Sequence, residues 1–371
     1  MTTPEMPTPA DHETVAIAAT ATDRALPKRA VPGAPLLEVE NLRTHFRLGT
    51  ETVHAVDGVS FRLDRGEALG IAGESGCGKT TTALSLVGLL PANARIVEGS
   101  IRLYGIELAD RGETGLRRYR WREIAVVFQG AMNALNPVRR VRDQIAEPIV
   151  QRLGVGEKAA RKKAGDLLEL VGIPRARGRA YPHELSGGMR QRAMIAMALA
   201  CDPAIVIGDE PTTALDVMIQ AQILELLERL RAQLGLSLIL ITHDLSVIAE
   251  TCDRVMVMYA GRVAEEGRVA EVFSRPRHPY TQRLLAAIPN LNVDRRALET
   301  IPGSPPDLRT PPPGCRFAPR CPVAMEVCRV EVPPEVRFAD GTRVACHHYP
   351  EGSDGTPISL PTADALAGAT R

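Results

Sequence analysis

Short runs of consecutive apolar residues recur between about residues 36 and 273, separated by segments of helical length. Ala68–Ile71, Ile124–Phe128, Ala204–Ile207, Ser237–Ile241 and Val255–Met258 are apolar on both faces, which predicts strands covered on both sides. Helix-like stretches follow several of them, Thr80–Leu90 and Ile219–Gln233 among these. Such alternation predicts an α/β fold with a largely parallel sheet. Residues 1–34 have few large apolar positions, no periodicity and several prolines, the pattern of a disordered leader. From Pro276 the composition changes. Prolines at 302, 305, 306, 311, 312, 313, 319 and 322 crowd a stretch that also holds four of the seven cysteines, predicting an appendage with little regular structure. The expected organisation is a leader (1–34), an α/β domain (35–273), a cysteine-containing extension (274–350) and a flexible polar tail (351–371).

Composition narrows the function. Hydrophobic residues make up 44% of the 371 positions, enough for a sizeable core, and the net charge of +1 gives no bulk attraction to nucleic acid or anionic lipid. The run Arg117-Arg118-Tyr119-Arg120-Trp121-Arg122 suits a nucleic-acid backbone or, more simply, a solvated helix face. With no wider basic surface, no nucleic-acid partner is expected. No apolar stretch approaches the roughly 18 residues that span a bilayer, and residues 1–35 lack the apolar region of an export signal. Seven cysteines without such a signal point to a reducing cytoplasm. A membrane role would need another polypeptide to cross the bilayer.

Gly73-Glu74-Ser75-Gly76-Cys77-Gly78-Lys79-Thr80 fits G-x-x-x-x-G-K-[ST] between an apolar strand and a helical stretch. Glycines let backbone N–H groups turn inward around phosphate oxygens, and the helix N-terminus that follows offers further donors, from Thr81 onward. Lys79 is placed to bridge β- and γ-phosphates and the Thr80 hydroxyl to ligate Mg²⁺; Cys77 is a small filler within the cradle. Downstream, Asp209 ends an apolar run where it can hold Mg²⁺ through water, and Glu210 can orient or deprotonate attacking water. His243 follows another buried strand. Residues just past parallel-strand C-termini converge on one crevice, so Asp209, Glu210 and His243 are expected to share a site.

Leu185-Ser186-Gly187-Gly188-Met189-Arg190-Gln191 adds a helix start offering a hydroxyl and N–H donors to a phosphate, or simply an N-cap. The segment resembles the signature motif of ABC ATPases. That resemblance covers roughly residues 36–273 and implies a P-loop nucleotide-binding domain with a parallel core sheet, an antiparallel β subdomain and a helical subdomain. It further implies that Ser186, Gly187 and Gly188 grip ATP held by the opposite subunit. Gln129 is implied as the Q-loop residue touching Mg²⁺ and water, and Asp216 as the D-loop residue. Phe46 is implied as the adenine-stacking aromatic, with His54 on the same segment as the alternative. Asn136-Pro137 resembles the stretch near the permease's coupling helix. Two departures stand out: Gly130-Ala131 replace the usual acidic residue and proline after Gln129, and Gly208 replaces a bulkier residue before Asp209, which is expected to weaken strand packing.

Ser274–Thr281, Ile301–Pro306 and Cys315, Cys321, Cys328 and Cys346 resemble the extension of dipeptide/oligopeptide importer ATPases of the D type. The cysteine gaps of 5, 6 and 17 residues match neither paired zinc-ribbon nor tight ferredoxin spacing. The resemblance implies a [4Fe–4S] cluster; adjacent His347 and His348 keep Zn²⁺ open, and reduced free thiols are the third reading. It also implies two membrane permease subunits, a second homologous ATPase subunit or a second copy of this chain, and an extracytoplasmic peptide-binding protein. The implied location is the cytoplasmic face of the membrane, and the implied function is ATP hydrolysis powering di-/oligopeptide uptake. An importer for nickel or another small solute, a non-transport ABC ATPase and a regulatory module without turnover are the competing readings; intact Glu210 and His243 argue against the last.

Overall fold

The computed structural model describes residues 31–108, 112–128, 134–212, 215–287 and 301–360. Gln129 to Asn133, most of the expected leader and the end of the expected tail lie outside them. In chain order the elements begin β1 (Leu37–Leu48), β2 (Glu51–Leu63), β3 (Ala68–Ala72), α1 (Lys79–Val87), β4 (Ala94–Leu103), β5 (Ile106–Glu107), α2 (Gly112–Tyr119) and β6 (Ile124–Val127). A helical stretch follows with α3 (Val141–Leu153), α4 (Glu157–Leu170) and α5 (Gly187–Ala198). Then come β7 (Ile205–Asp209), α6 (Val217–Leu234), β8 (Ser237–Ile241), α7 (Leu245–Thr251), β9 (Arg254–Tyr259), β10 (Arg262–Arg268), α8 (Val269–Ser274) and α9 (Pro279–Ala286). The C-terminal part adds α10 (Val327–Val330), β11 (Glu335–Arg337) and β12 (Arg343–Ala345).

Eight strands form one sheet in the order β11-β12-β10-β9-β3-β8-β7-β6. The run from β9 to β6 is parallel, while β10, β12 and β11 pair antiparallel at the other edge. A second, antiparallel sheet has the order β2-β1-β4-β5.

Strand periodicity sorts the apolar side chains into two cores. Leu69, Ile71, Ile205, Ile207, Ile239, Ile241, Met256 and Met258 face the antiparallel sheet and α1, alongside Val56, Phe61 and Leu86. Their neighbours Ala68, Ala72, Val206, Leu238, Leu240, Val255 and Val257 face the opposite side, where α3 to α7 contribute Ile145, Leu168, Ile195 and Ile223. β3, β7 and β8 are buried at every position, as strands covered on both sides must be.

Several elements differ from expectation. α1 stops at Val87 rather than Leu90, because Gly88 takes a left-handed conformation and its N–H returns to the carbonyls of Leu84 and Ser85. Arg120 then fills the same helix end, donating to the Val87 and Gly88 carbonyls, so part of the arginine run is a cap rather than a solvated face. Gly208 does not weaken its strand: β7 pairs with both β6 and β8, and Pro211 and Leu240 close over the missing side chain. The C-terminal extension is also less irregular than expected, since β11 and β12 continue the main sheet through β10. The start of the expected tail is pinned, with Arg277 Nε donating to the Gly355 carbonyl at 2.6 Å and Gln282 Nε2 to the Ile358 carbonyl at 3.1 Å.

Glu265 on β10 is fully buried and joins this extension to the sheet, accepting the backbone N–H groups of Arg277 at 2.8 Å and His278 at 2.9 Å. His278 caps α9, its Nδ1 accepting from the Tyr280 N–H at 3.0 Å, and burial pushes its pKa down to about 3 from 6.5. Between those values the unfolded chain binds a proton that the folded imidazole refuses. This residue therefore removes stability as pH falls through 6.5, with a limiting slope of about 1.4 kcal/mol per pH unit. Glu265 acts in the opposite sense: burial raises its carboxyl to about 7, so the folded state gains the proton first and stability rises as pH falls toward 4.5. We expect His278→Asn, which keeps a capping acceptor, to flatten the acid-side fall in thermal midpoint relative to the parent chain. Parallel midpoint-versus-pH curves for the two proteins would exclude a neutral buried imidazole at this position.

Candidate nucleotide site

The loop Gly73–Gly78 leaves the C-terminal end of β3 and enters α1, whose first residue is Lys79. Its shape is imposed from behind. A Cβ on Gly73, at φ +147°, would sit 2.2 Å from the Met258 carbonyl oxygen on β9, and one on Gly78, at φ +103°, would sit 2.3 Å from the Ala55 carbonyl oxygen on β2. Only glycine accepts both the backbone angle and the approach. Ser75 and Gly76 form the exposed tip, while Cys77 is buried and burial raises its thiol pKa, as suits an inert filler.

Lys79 is buried, and its Nζ donates to the carbonyls of Gly73 at 2.6 Å and Glu74 at 3.1 Å, so the ammonium lies inside the loop. Thr80 stands one residue on, its Oγ1 donating to Asp209 Oδ1 at 3.2 Å. Asp209 ends β7 and is buried. Burial pushes its carboxyl pKa up, assisted by the neighbouring Glu210 charge and opposed by the Thr80 hydroxyl and Lys79. Glu210 sits past the strand end with φ +46°, a conformation sparsely used by side-chain-bearing residues. Its N–H bonds the Ile241 carbonyl at 2.8 Å and its Oε1 lies 3.2 Å from His243 Nδ1. The structure thus brings Lys79, Thr80, Asp209, Glu210 and His243 together at the C-terminal ends of the adjacent strands β3, β7 and β8, where the fold rule places ligands.

Ser186, Gly187 and Gly188 open the helix α5 away from that cluster of side chains. Ser186 is exposed and caps the helix, accepting from the Met189 N–H at 3.3 Å. A Cβ on Gly188 would meet Ile219 of α6 at 2.9 Å, so the start of α5 rests on the start of α6. There Asp216 caps α6 by accepting from the Ile219 N–H at 3.0 Å, and Val217 and Met218 beside it are 81% and 72% exposed. Phe46 is half-buried on β1 opposite Val53, two residues before Ala55 behind the loop, and His54 stacks edge-on against His45. Gln129 lies outside the described residues.

The pairing of Glu74, Tyr280 and Arg320 at this site has no sequence signature. Glu74 is paired with Arg320, and its N–H donates to the hydroxyl of Tyr280 at 2.9 Å. These contacts span 246 and 206 positions, and no local spacing announces them.

The four cysteines Cys315, Cys321, Cys328 and Cys346 are free thiols, and burial, reinforced by neighbouring cysteines, raises the thiol pKa of Cys315, Cys321 and Cys346. Each sulfur meets backbone N–H donors: Cys315 from Phe317 and Ala318, Cys321 from Val323, Cys328 from Met325 and Cys346 from His348. Burial raises the thiol pKa of Cys321 to about 11 and of Cys346 to about 12. Among the described residues, the group of metal-ligating atoms lying within 4.8 Å of one another is His45, His54 and Asp57, not these sulfurs. His347 and His348 turn away, their Nε2 atoms meeting the backbone carbonyls of Glu331 and Val323.

Comparison with known proteins agrees with this geometry. A family model described as ABC transporter matches residues 56–213, and one described as the C-terminal region of oligopeptide/dipeptide transporters matches residues 264–328. The dipeptide transport ATP-binding protein DppD of Bacillus subtilis is 48% identical over 314 residues, covering 84% of this chain and 94% of that protein. The oligopeptide transport ATP-binding protein AppD of the same organism is 46% identical over 319 residues, covering 85% and 97%. Among solved structures, the ATP-binding cassette MJ0796 in a post-hydrolysis dimer with ADP and Pi superposes with a TM-score of 0.57 at 28% identity, over 63% of this chain and 98% of that one. With its loop, strand-end carboxylates and C-terminal region all in place, the chain belongs to the ATP-binding subunits of ABC transporters, in the oligopeptide/dipeptide branch, and is an ATPase of that family.

Proposed function

We propose that this chain hydrolyses ATP to power uptake of di- or oligopeptides through a separate membrane permease, working at the cytoplasmic face. The observation that carries the reading is the convergence of Lys79, Thr80, Asp209, Glu210 and His243 at the C-terminal ends of neighbouring strands, in a chain that also has the peptide-transporter extension. Among the described residues no helix is long and apolar enough to cross a membrane, so the permease supplies the spanning segments.

In this reading the N–H groups of Gly73–Thr80 receive the β- and γ-phosphates, and Lys79 exchanges its loop carbonyls for phosphate oxygens. Glu210 orients or deprotonates the attacking water, and His243, 3.2 Å away, faces the developing γ-phosphate charge. The Thr80 hydroxyl and the Asp209 carboxylate would hold Mg²⁺, with Gln129 completing the set. Asp209 fits that role, because a buried carboxylate with a raised pKa gains from a nearby cation. The ion supplies charge neutralisation on the phosphates. Phe46 stacks on adenine.

Ser186, Gly187, Gly188 and Asp216 serve the nucleotide of a facing subunit, a homologous ATPase or a second copy. Supporting this, the N-terminal end of α5 and the exposed Val217–Met218 pair lie side by side. Two permease subunits dock near Asn136-Pro137, where Gln144 clasps the backbone of Asn136 at 2.8 Å and Val138 is 79% exposed. An extracytoplasmic peptide-binding protein delivers the substrate to that permease.

Cys315, Cys321, Cys328 and Cys346 would hold a [4Fe–4S] cluster. Four sulfurs with aimed N–H donors suit thiolate ligation, whereas His347 and His348, which would favour Zn²⁺, are engaged with the backbone carbonyls of Glu331 and Val323. Such a cluster supplies a compact cross-link of the extension and the capacity for one-electron exchange.

Glu210→Gln is expected to keep ATP binding and stabilise the closed dimer, while lowering turnover about a hundredfold or more; undiminished steady-state hydrolysis would remove Glu210 from its role. For Lys79→Ala the expected result is ATP affinity weakened by about tenfold or more, in line with loss of a charge-assisted contact, measured by equilibrium binding. An unchanged dissociation constant would contradict the cradle. Purified without oxygen, the chain should be brown and carry iron, and the four-fold Cys→Ser variant colourless; colourless parent protein with stoichiometric zinc would overturn the cluster.

A further inference from the structure

Glu74 is the second residue of the phosphate loop, and nothing in the phosphate chemistry uses its carboxylate. It is nevertheless held at three points. Arg320 grips the two carboxylate oxygens through parallel bonds, Nη1 to Oε2 at 2.6 Å and Nη2 to Oε1 at 3.0 Å. The Glu74 N–H donates to the Tyr280 hydroxyl at 2.9 Å, and its carbonyl accepts from Lys79. The gripping groups are themselves fixed. Arg320 has a side chain only 5% exposed and donates to the carbonyls of Pro302 and Ile301 and to the Tyr259 hydroxyl. Tyr280 is fully buried against Tyr259 and Phe317, with ring centres 4.6 and 5.4 Å away.

Arg320 reaches the loop from the cysteine segment. It closes the short turn Ala318–Arg320 and immediately precedes Cys321. Arg316, immediately after Cys315, extends behind the same loop to the Asp57 carboxylate and the Ala260 carbonyl. The neighbouring Gly261 N–H donates to the Cys77 carbonyl at 2.9 Å, so this contact too ends on the cradle.

A bidentate charge-assisted pair whose arginine is buried and held by further acceptors restrains both partners more than a surface ion pair does. Backbone amides bind phosphate well only when they are already aimed, because ordering them at the moment of binding subtracts from affinity. We propose that Arg320 is a positioning residue for ATP: acting through Glu74, with Tyr280, it holds the backbone of the phosphate loop in its binding shape. The cysteine segment is thereby part of the nucleotide site, and a change in its fold reaches the loop through this arginine.

The inference rests on Gly73–Thr80 being the phosphate cradle. Its test uses the full chain, with ATP binding, KM, kcat and thermal midpoint measured for Arg320→Gln, Arg320→Lys, Glu74→Gln and the double variant Arg320→Gln/Glu74→Gln. Arg320→Gln and Glu74→Gln are each expected to raise Kd and KM for ATP about tenfold, the order expected when backbone freedom returns to one residue, with kcat changed less than about threefold because the groups that act on water remain. Arg320→Lys should recover part of the affinity. The double variant should be no worse than either single one, since both break the same pair. Should Arg320→Gln fail to fold, Glu74→Gln gives the same reading with Arg320 in place. A folded Arg320→Gln with Kd and KM within about twofold of the parent, additive losses in the double variant, or a lowered midpoint and kcat with unchanged KM would each overturn the proposal. Lys79→Ala separates the two ideas: if it leaves binding intact the cradle is misassigned, whereas if it abolishes binding while Arg320→Gln does not weaken it, the arginine alone fails.

Discussion

Backbone amides can hold a polyphosphate only if something other than their own side chains fixes the backbone that carries them. In this chain the fixing comes from three directions. Met258 on β9 and Ala55 on β2 close against Gly73 and Gly78, leaving no room for a side chain. Arg320 and Tyr280 hold Glu74 from the C-terminal extension. Lys79 threads the loop from inside. The loop is therefore a junction of the antiparallel sheet, the parallel sheet and the extension, and the chemistry at its tip inherits the rigidity of all three.

The strand-end side follows the same logic with side chains in place of amides. Asp209 is buried at the end of β7 and Glu210 stands beyond it in a left-handed conformation, tied to β8 through the Ile241 carbonyl. A half-turn of strained backbone separates a residue aimed at the Thr80 hydroxyl from one aimed at His243. Two adjacent carboxylates can thus take different tasks, because the chain path points one at the Thr80 hydroxyl and the other at His243.

Much of this was legible in the sequence, for physical reasons. A parallel strand buried on both faces must be apolar throughout, so β3, β6, β7, β8 and β9 announced themselves. A strand-to-helix loop pressed against neighbouring carbonyls at positive φ needs glycine, so Gly73 and Gly78 stood out too. β1, β2, β4 and β10 were harder to place from pattern. Arg43 and Asp57 interrupt their apolar positions, and the extension covers faces that a lone domain would expose. The β11–β12 pairing and the anchored start of the tail were hidden behind prolines that suggested irregular chain. The Arg320–Glu74 pair was illegible, since a salt bridge closing a loop of 246 residues leaves no periodicity.

Asp57 shows why the extension is bound into the domain rather than appended to it. This buried carboxylate on β2 meets Arg43 of β1, Arg262 of β10 and Arg316 of the cysteine segment. Burial alone would push its pKa up, yet the three guanidinium groups hold it below the usual carboxylate range. Arg316 pays the reverse: burial first, then the charge of Arg262, brings its pKa down to about 10. Arg43 also meets Glu98 at 3.2 Å, and a partly buried ion cluster of this kind is weak evidence for net stability. What it does supply is geometry, because the arginines come from three separate parts of the chain and share one acceptor. Asp57 lies two residues beyond Ala55, the residue pressed against Gly78. The same short piece of β2 therefore sets the register of the cysteine segment and the position of the phosphate loop, so neither can move without the other being displaced.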